Sequence, residues 1–228
     1  MMRFVKDFIR RLFGNTGGYK FLVYLIGGYR DHRRMIYAPE DFAVFEEGAF
    51  VEPGAEIYHR QRVVLRKCAV ILKGALINAE GGLHVGRYSG ISYNCTIFTG
   101  EHRFLKSEAL PFDKRNDLKP VFIDDCVFIG ANVCIMPGVR IGTGAVVGMG
   151  TVVMKDIPEL AIVVGNPAQV IGYRDKKHFE DLKAKGAFQS PRVAEYIDHM
   201  PLMYRKKYKN FLPEIGLSEV GQKHDPGA

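Results

Sequence analysis

The chain has 228 residues, 47% apolar and 25% charged, with 25 glycines. That is enough for one domain with appendages and a sizeable core, and the balance is that of a globular protein rich in turns, not of a disordered chain. A formal charge of +7 favours polyanionic partners, from phosphorylated cofactors and nucleotide sugars to anionic lipid or nucleic acid, without choosing among them.

The first element is basic and apolar together. In MMRFVKDFIRRLF the residues Phe4, Val5, Phe8, Ile9, Leu12 and Phe13 fall on one stripe of a helix, with Arg3, Lys6, Arg10 and Arg11 off it. NTGG stops this helix. The apolar run in YKFLVYLIGGY that follows is far shorter than the roughly 20 residues of a bilayer span. No long apolar stretch ending in a small-residue cleavage site marks a secretory signal. Residues 1–50 are therefore read as a helical segment, either capping the main domain or resting against anionic lipid head groups.

A repeat comes next. Val85, Ile91 and Ile97, then Ile123, Ile129, Ile135, Ile141, Val147 and Val153 recur every sixth residue, all branched at Cβ. The fifth position of each six is small or β-branched: Ser89, Cys95, Val127, Val133, Val139, Ala145 and Thr151. Residues six apart lie roughly 240° around a helix from one another, so no helical face stays apolar, and an uninterrupted strand has no use for such a period. Short strands joined by tight corners, with Gly or Asn at the turns, satisfy it. The pattern is a parallel β-helix. Val51, Ile57 and Val63 share one phase and Ile71, Ile77 and Leu83 another, so the column is expected to begin near residue 51 with irregular early coils and to run to residue 172.

Cys68, Cys95, Cys126 and Cys134 form no CxxC pair and no zinc-like spacing. They are read as reduced thiols inside the repeat core of a cytoplasmic protein. Cys95, at a fifth position, is core rather than nucleophile.

The repeat breaks after TIFTGEHRF. A solenoid offers flat walls, so chemistry must come from loops that leave it, and residues 100–120 form such an excursion.

The stretch VFIGANVCIMPGVRIGTGAVVGMGTVVMKDIPELAIVVGNPAQVIG resembles the closing coils of the hexapeptide-repeat acyltransferases, which include galactoside, maltose and streptogramin acetyltransferases and many polysaccharide O-acetyltransferases. The resemblance covers about residues 70 to 175. It implies an all-β, left-handed parallel β-helix, a homotrimer with active sites between neighbouring prisms, and acetyl-CoA as acyl donor without a metal. TIFTGEHRF resembles the place where the family's loop supplies the catalytic histidine, which assigns His102. Its imidazole would take the proton of a weakly acidic hydroxyl as the oxygen attacks, and a backbone N–H would stabilise the resulting oxyanion.

The same resemblance gives Glu80 as an acidic substrate contact. Asn94 is read as a corner residue tolerant of the left-handed region, and is carried as a second candidate substrate contact. Ala131, Met149, Met154 and Lys155 match positions lining the pantetheine arm. Gln169 departs from the Lys or Arg common in the family, leaving Arg174, with Lys176 and Lys177, to meet the 3′-phosphate.

Residues 173–228 are read as a helical tail. RDKKHFEDLKAKGAF has a helical look, and EYIDHMPLMYRKKYKNF mixes aromatics with lysines. A capping helix accounts for them, and no nucleic-acid partner is expected.

The expected activity is acetyl-CoA-dependent O-acetylation of a carbohydrate hydroxyl, in cell-surface polysaccharide synthesis. A lipid-linked acceptor would give the basic N-terminus a purpose on the inner face of the membrane. N-acetylation of an amino-sugar nucleotide uses the same donor and base. A metal hydrase would need His59, His84 and His102 to converge between subunits, and a non-enzymatic scaffold would turn over no thioester.

Overall fold

The computed structural model describes residues 37–189. The amphipathic helix expected at the start of the 1–50 segment and the tail beyond 189 lie outside the described residues. Residues 37–50, read as part of that helical segment, instead hold a single 3-10 turn, Pro39–Asp41, and the first short strands.

Strands of two to five residues stack into three walls. The first wall holds Val44–Phe45, Val63–Leu65, Leu83–Val85, Val121–Ile123 and Arg140–Ile141. The second holds Phe50–Val51, Val70–Ile71, Gly90–Ile91, Phe128–Ile129, Val146–Val147 and Ala161–Val164, and is closed by antiparallel Gln169–Tyr173. The third holds Glu56–Tyr58, Leu76–Asn78, Thr96–Phe98, Cys134–Ile135 and Val152–Val153. The chain visits the walls in turn and pairs in parallel with the coil before, which makes a hexapeptide-repeat β-helix. Such strands are too short to persist alone, so each depends on its neighbours above and below.

The inward residue of each strand builds the core. Ile71, Ile77, Ile91, Ile97, Ile123, Ile129 and Ile141 are wholly buried, each contributing about 1.5–3 kcal/mol by leaving water. Polar side chains inside the column are satisfied locally: Ser89 Oγ donates to the Asp124 carbonyl at 2.6 Å and accepts from the Val127 amide at 2.9 Å. Gly130 stands where a Cβ would come within 2.7 Å of the Met149 nitrogen. Only a bare backbone lets those two coils approach.

Two details differ from the sequence reading. The column starts earlier, with Val44–Phe45 paired to Val64 and Leu65. The early coils are also regular. Ile57 pairs with Ile77, and Ile77 with Ile97, twenty residues on, whereas Ile129 pairs with Val147, eighteen on. The two extra residues of each early coil sit at the corner between the third and first walls. The long excursion leaves from that same corner, and it does not disturb the register, since Ile123 stacks directly on Val85.

The cysteines divide. All four are free thiols, and only Cys95 is buried. Cys68 and Cys126 occupy left-handed corners, with φ of 56° and 60°, and Cys134 lines a cavity on the third wall. The expectation of four core thiols is corrected accordingly: only Cys95 holds the fifth position of a six.

A helix, α1, spans Lys176–Ala184 and is capped by Asp175, whose Oδ1 accepts from the His178 amide at 2.6 Å. Among the described residues no helix is long and apolar enough to cross a membrane.

Truncating Ile129 to Ala should cost about 2–5 kcal/mol in urea unfolding, whereas Phe128→Ala, at a position 55% exposed, should cost less than about 1 kcal/mol. Equal losses would contradict this inward and outward assignment.

Candidate active site

The excursion begins as a hairpin. Gly100–His102 runs antiparallel to Asn116–Leu118, with His102 opposite Asn116. Across it the Arg103 guanidinium donates to Asp117 at 2.9 and 2.6 Å, and Lys119 pairs with Glu101. At the tip Asp113 accepts from the amides of Glu108 and Arg115, at 3.0 and 2.8 Å, and from the Arg115 side chain. The Arg115 guanidinium, followed by those amides, holds the Asp113 carboxyl well below the usual carboxylate range. This knot presents Phe112, whose ring stacks on His102 with centroids 4.0 Å apart and planes 5° from parallel.

Beneath the hairpin lies the widened corner of the preceding coil. Thr99 Oγ1 donates to the Asn78 carbonyl at 3.0 Å and accepts from the Gly81 amide at 2.7 Å. The Glu80 amide donates to Asn78 Oδ1 at 3.2 Å, and Arg62 donates to the Glu80 carbonyl. The Glu80 turn is thereby held from both sides.

Glu80 and His102 meet through Asn116. Its Nδ2 donates to the Glu80 carboxylate at 3.2 and 3.4 Å, and its Oδ1 lies 2.8 Å from His102 Nδ1. A carboxylate only accepts, so the amide nitrogen must face Glu80 and the amide oxygen must face the ring. His102 Nδ1 therefore donates, and in the neutral ring the lone pair is on Nε2. The ring lines a cavity of about 370 Å³, together with Phe98, Thr96, Cys134, Met136 and Pro137, a volume in the range of small-molecule sites.

The matching family model is the hexapeptide repeat of succinyl-transferase, over residues 120–155. YvoF of Bacillus subtilis (strain 168), provisionally named an acetyltransferase, is 44% identical over 101 residues, 44% of this chain and 53% of that protein. The chain thus spans about half the length of this relative. A Saccharomyces cerevisiae protein, also provisionally named an acetyltransferase, is 32% identical over 145 residues, 61% of this chain and 67% of that protein. The chain belongs to the hexapeptide-repeat acetyltransferases. Among solved members of this group, the maltose O-acetyltransferase of Clostridium difficile 630 superposes with a TM-score of 0.55 at 25% identity, covering 76% of this chain and 87% of that one. Other hexapeptide-repeat structures of like fold hold coenzyme A or acetyl-CoA.

The remaining sequence candidates are spread around the prism. Asn94 is a left-handed corner residue with φ of 57° and does not line the cavity. Ala131 and Met149 sit on the edge between the second and third walls, where the Gly150 amide donates to the Ala131 carbonyl at 2.9 Å. Met154 follows Val153 and continues the outward column of Phe98 and Met136, with Lys155 next to it. Arg174 lies on the edge away from the third wall, its amide donating to the Leu160 carbonyl at 2.8 Å. His59 is at a left-handed corner, and His84 is on the first wall, accepting from Arg66 at 3.3 Å. Among the described residues no three His, Cys, Asp or Glu side chains gather as a metal site.

Sequence reasoning missed Asn116 and Phe112. A signal for Asn116 existed: a hairpin opening on GEH must return through a strand, and NDL, just before the repeat resumes, is its partner.

At neutral pH the ¹⁵N spectrum of His102 should show the Nδ1-protonated tautomer. In Asn116→Ala that preference should be lost, and an unchanged spectrum would mean that the amide does not set the proton.

Proposed function

We propose that this protein transfers an acetyl group from acetyl-CoA to a hydroxyl of a carbohydrate. What carries the reading is the Glu80–Asn116–His102 chain, which leaves Nε2 as an acceptor beside the cavity in a member of an acetyltransferase family. The donor thioester, when bound, supplies an already activated acetyl group. Its pantetheine arm suits the exposed apolar surface of Met149, Met154 and Met136, and Lys155 offers a cation nearby.

The protein's own task is to move one proton. His102 Nε2 accepts it from the acceptor hydroxyl as that oxygen attacks the thioester carbon, and returns it to the CoA sulfur as the C–S bond breaks and CoA leaves as the thiol. The charge that forms on the ring is met on one side by the Phe112 face, a cation–π contact. On the other side it is met through Nδ1–H by Asn116 and, one bond further, by the Glu80 carboxylate. Glu80 has free acceptor capacity for sugar hydroxyls as well.

Cys95 has no part in this step. Burial pushes its thiol up to about 11, and its Sγ donates to the Gly130 carbonyl at 3.2 Å, so at neutral pH no thiolate forms there to carry an acetyl group.

Arg174 stands on a different edge from His102, which supports a second copy contributing the far end of the donor site, as in a homotrimer. The kinship to a sugar O-acetyltransferase at 25% identity supports a carbohydrate acceptor. A lipid-linked acceptor at the inner face of the membrane would employ the basic N-terminal residues.

A free-thiol release assay with acetyl-CoA and a panel of sugars, lipid-linked sugars and amino-sugar nucleotides tests the reading. With the acceptor found, His102→Ala should lower kcat at least about 100-fold, and Asn116→Ala about tenfold, as for one lost hydrogen bond, with the donor KM unchanged. Cys95→Ala should stay within about threefold of the parent. Turnover that survives His102→Ala, or an acceptor that is an amine alone, would overturn the base or the O-acetylation.

A further inference from the structure

A second cavity, also of about 370 Å³, lies on the edge between the first and second walls, away from His102. Its construction follows from the corner geometry. Cys68, Tyr88, Cys126 and Gly144 stack there in the left-handed region, with φ of 56°, 57°, 60° and 71°. Each amide donates to the coil below: Tyr88 to the Lys67 carbonyl at 2.9 Å, Cys126 to Arg87 at 2.8 Å, and Gly144 to Asp125 at 2.9 Å. The residue before each left-handed one stands on the outside of the edge. Lys67, Arg87, Asp125 and Thr143 are those residues, and all four line the cavity.

The segment after the last coil closes it. Phe179 of α1 packs where a Cβ on Gly144 would stand, 2.8 Å from its ring, and Phe188 stacks on Tyr88 with centroids 4.4 Å apart. Between these two anchors Lys183 completes the wall.

The charges inside are unevenly committed. Both oxygens of Glu46 are taken, one by Arg66 at 2.8 Å and the other by the Lys67 amide at 2.7 Å. Asp125 Oδ1 accepts from the Arg87 amide at 2.6 Å. Lys67 and Lys183 make only long, exposed ion pairs, at 3.7 Å to Glu47 and 3.9 Å to Glu180, of the kind that contribute little and yield readily. The Arg87 guanidinium forms no ion pair among the described residues. Three cations therefore line this space beside two carboxylates, Glu46 with both oxygens taken and Asp125 with one taken by a backbone amide, so positive charge exceeds negative there.

We propose that this cavity binds a phosphate group, free or carried on a small phosphorylated molecule, through Arg87, Lys67 and Lys183, with Thr143 as a hydroxyl partner. Arg87 supplies the planar fork that suits phosphate oxygens, and the two lysines supply charge. Since Lys183 comes from the segment carrying α1 and the other two from the prism, bound phosphate fastens that segment to the edge.

Calorimetric titration of the full chain with inorganic phosphate, pyrophosphate and ADP, under saturating CoA to fill any donor site, tests this. One equivalent should bind and protect the α1 segment from limited proteolysis. Arg87→Ala and Lys183→Ala, both exposed and expected to keep the parent's melting temperature, should each weaken binding about tenfold or more. His102→Ala should bind as the parent does, so the site stands or falls apart from acyl transfer. Preference for ADP over pyrophosphate would identify a nucleotide, and the reverse a simple phosphate ester or free anion; either supports the site. Binding of none of the three at millimolar concentration, or binding that both variants leave intact, overturns it.

Discussion

The described column answers to the stacking of one aliphatic residue per wall on the residue directly below it. The strands are only a few residues long and hold no stability alone, so the column forms only if Ile71, Ile91, Ile129 and Val147 lie in line on the second wall and their counterparts do so on the other two. Slipping one strand by a single residue would turn its Ile outward and an exposed neighbour inward. The chain is therefore strict along its walls and free only at its corners, where a coil can take two more residues or twenty without changing which side chains meet.

The proposed chemistry gathers where that freedom is used. The corner between the third and first walls is widened in both early coils, and the second widening carries Glu80. One coil later the same corner gives rise to the hairpin with His102 and Asn116. Stacking places these features one above the other, so residues 36 positions apart, Glu80 and Asn116, fall within hydrogen-bond reach. A rigid column beneath and a charged knot at Asp113 above restrain the imidazole from both sides. Such restraint serves the proposed role as a base, since a ring free to rotate would spend little time with its lone pair toward the acceptor.

Much of this was legible in the residues. The period of six is unambiguous because it fits neither helix nor plain strand, and it located the column and the interruption, while His102 was singled out by the resemblance of TIFTGEHRF to a family loop. The early coils looked irregular because a period of six was carried through a corner that holds eight residues. The steps from Ile57 to Leu65 and from Ile77 to Val85, each of eight residues, carry the stacks Ile57 on Ile77 and Leu65 on Val85, an order that a single fixed step of six conceals. The cysteines were misplaced for a related reason: a small apolar side chain suits a core, but Cys68 and Cys126 fall on the corner position and Cys134 on an outward one. Asn116 and Phe112 were hidden because a hairpin of about twenty residues has no repeat to index it. Their roles depend on which residue faces which across the two strands. The separation of Ala131 and Met149, which share an edge, from Lys155 and Arg174 was likewise invisible to a reading along one dimension.

The indifference of the column to what lies between Thr99 and Val121 has an evolutionary reading. Val85 and Ile123 meet whether the intervening turn is short or long, so the excursion is a module that can be exchanged wholesale without renegotiating the core. A lineage built this way would diversify the molecules it acts upon by trading one hairpin for another, and its ancestry would remain written in the walls long after its specificities had diverged.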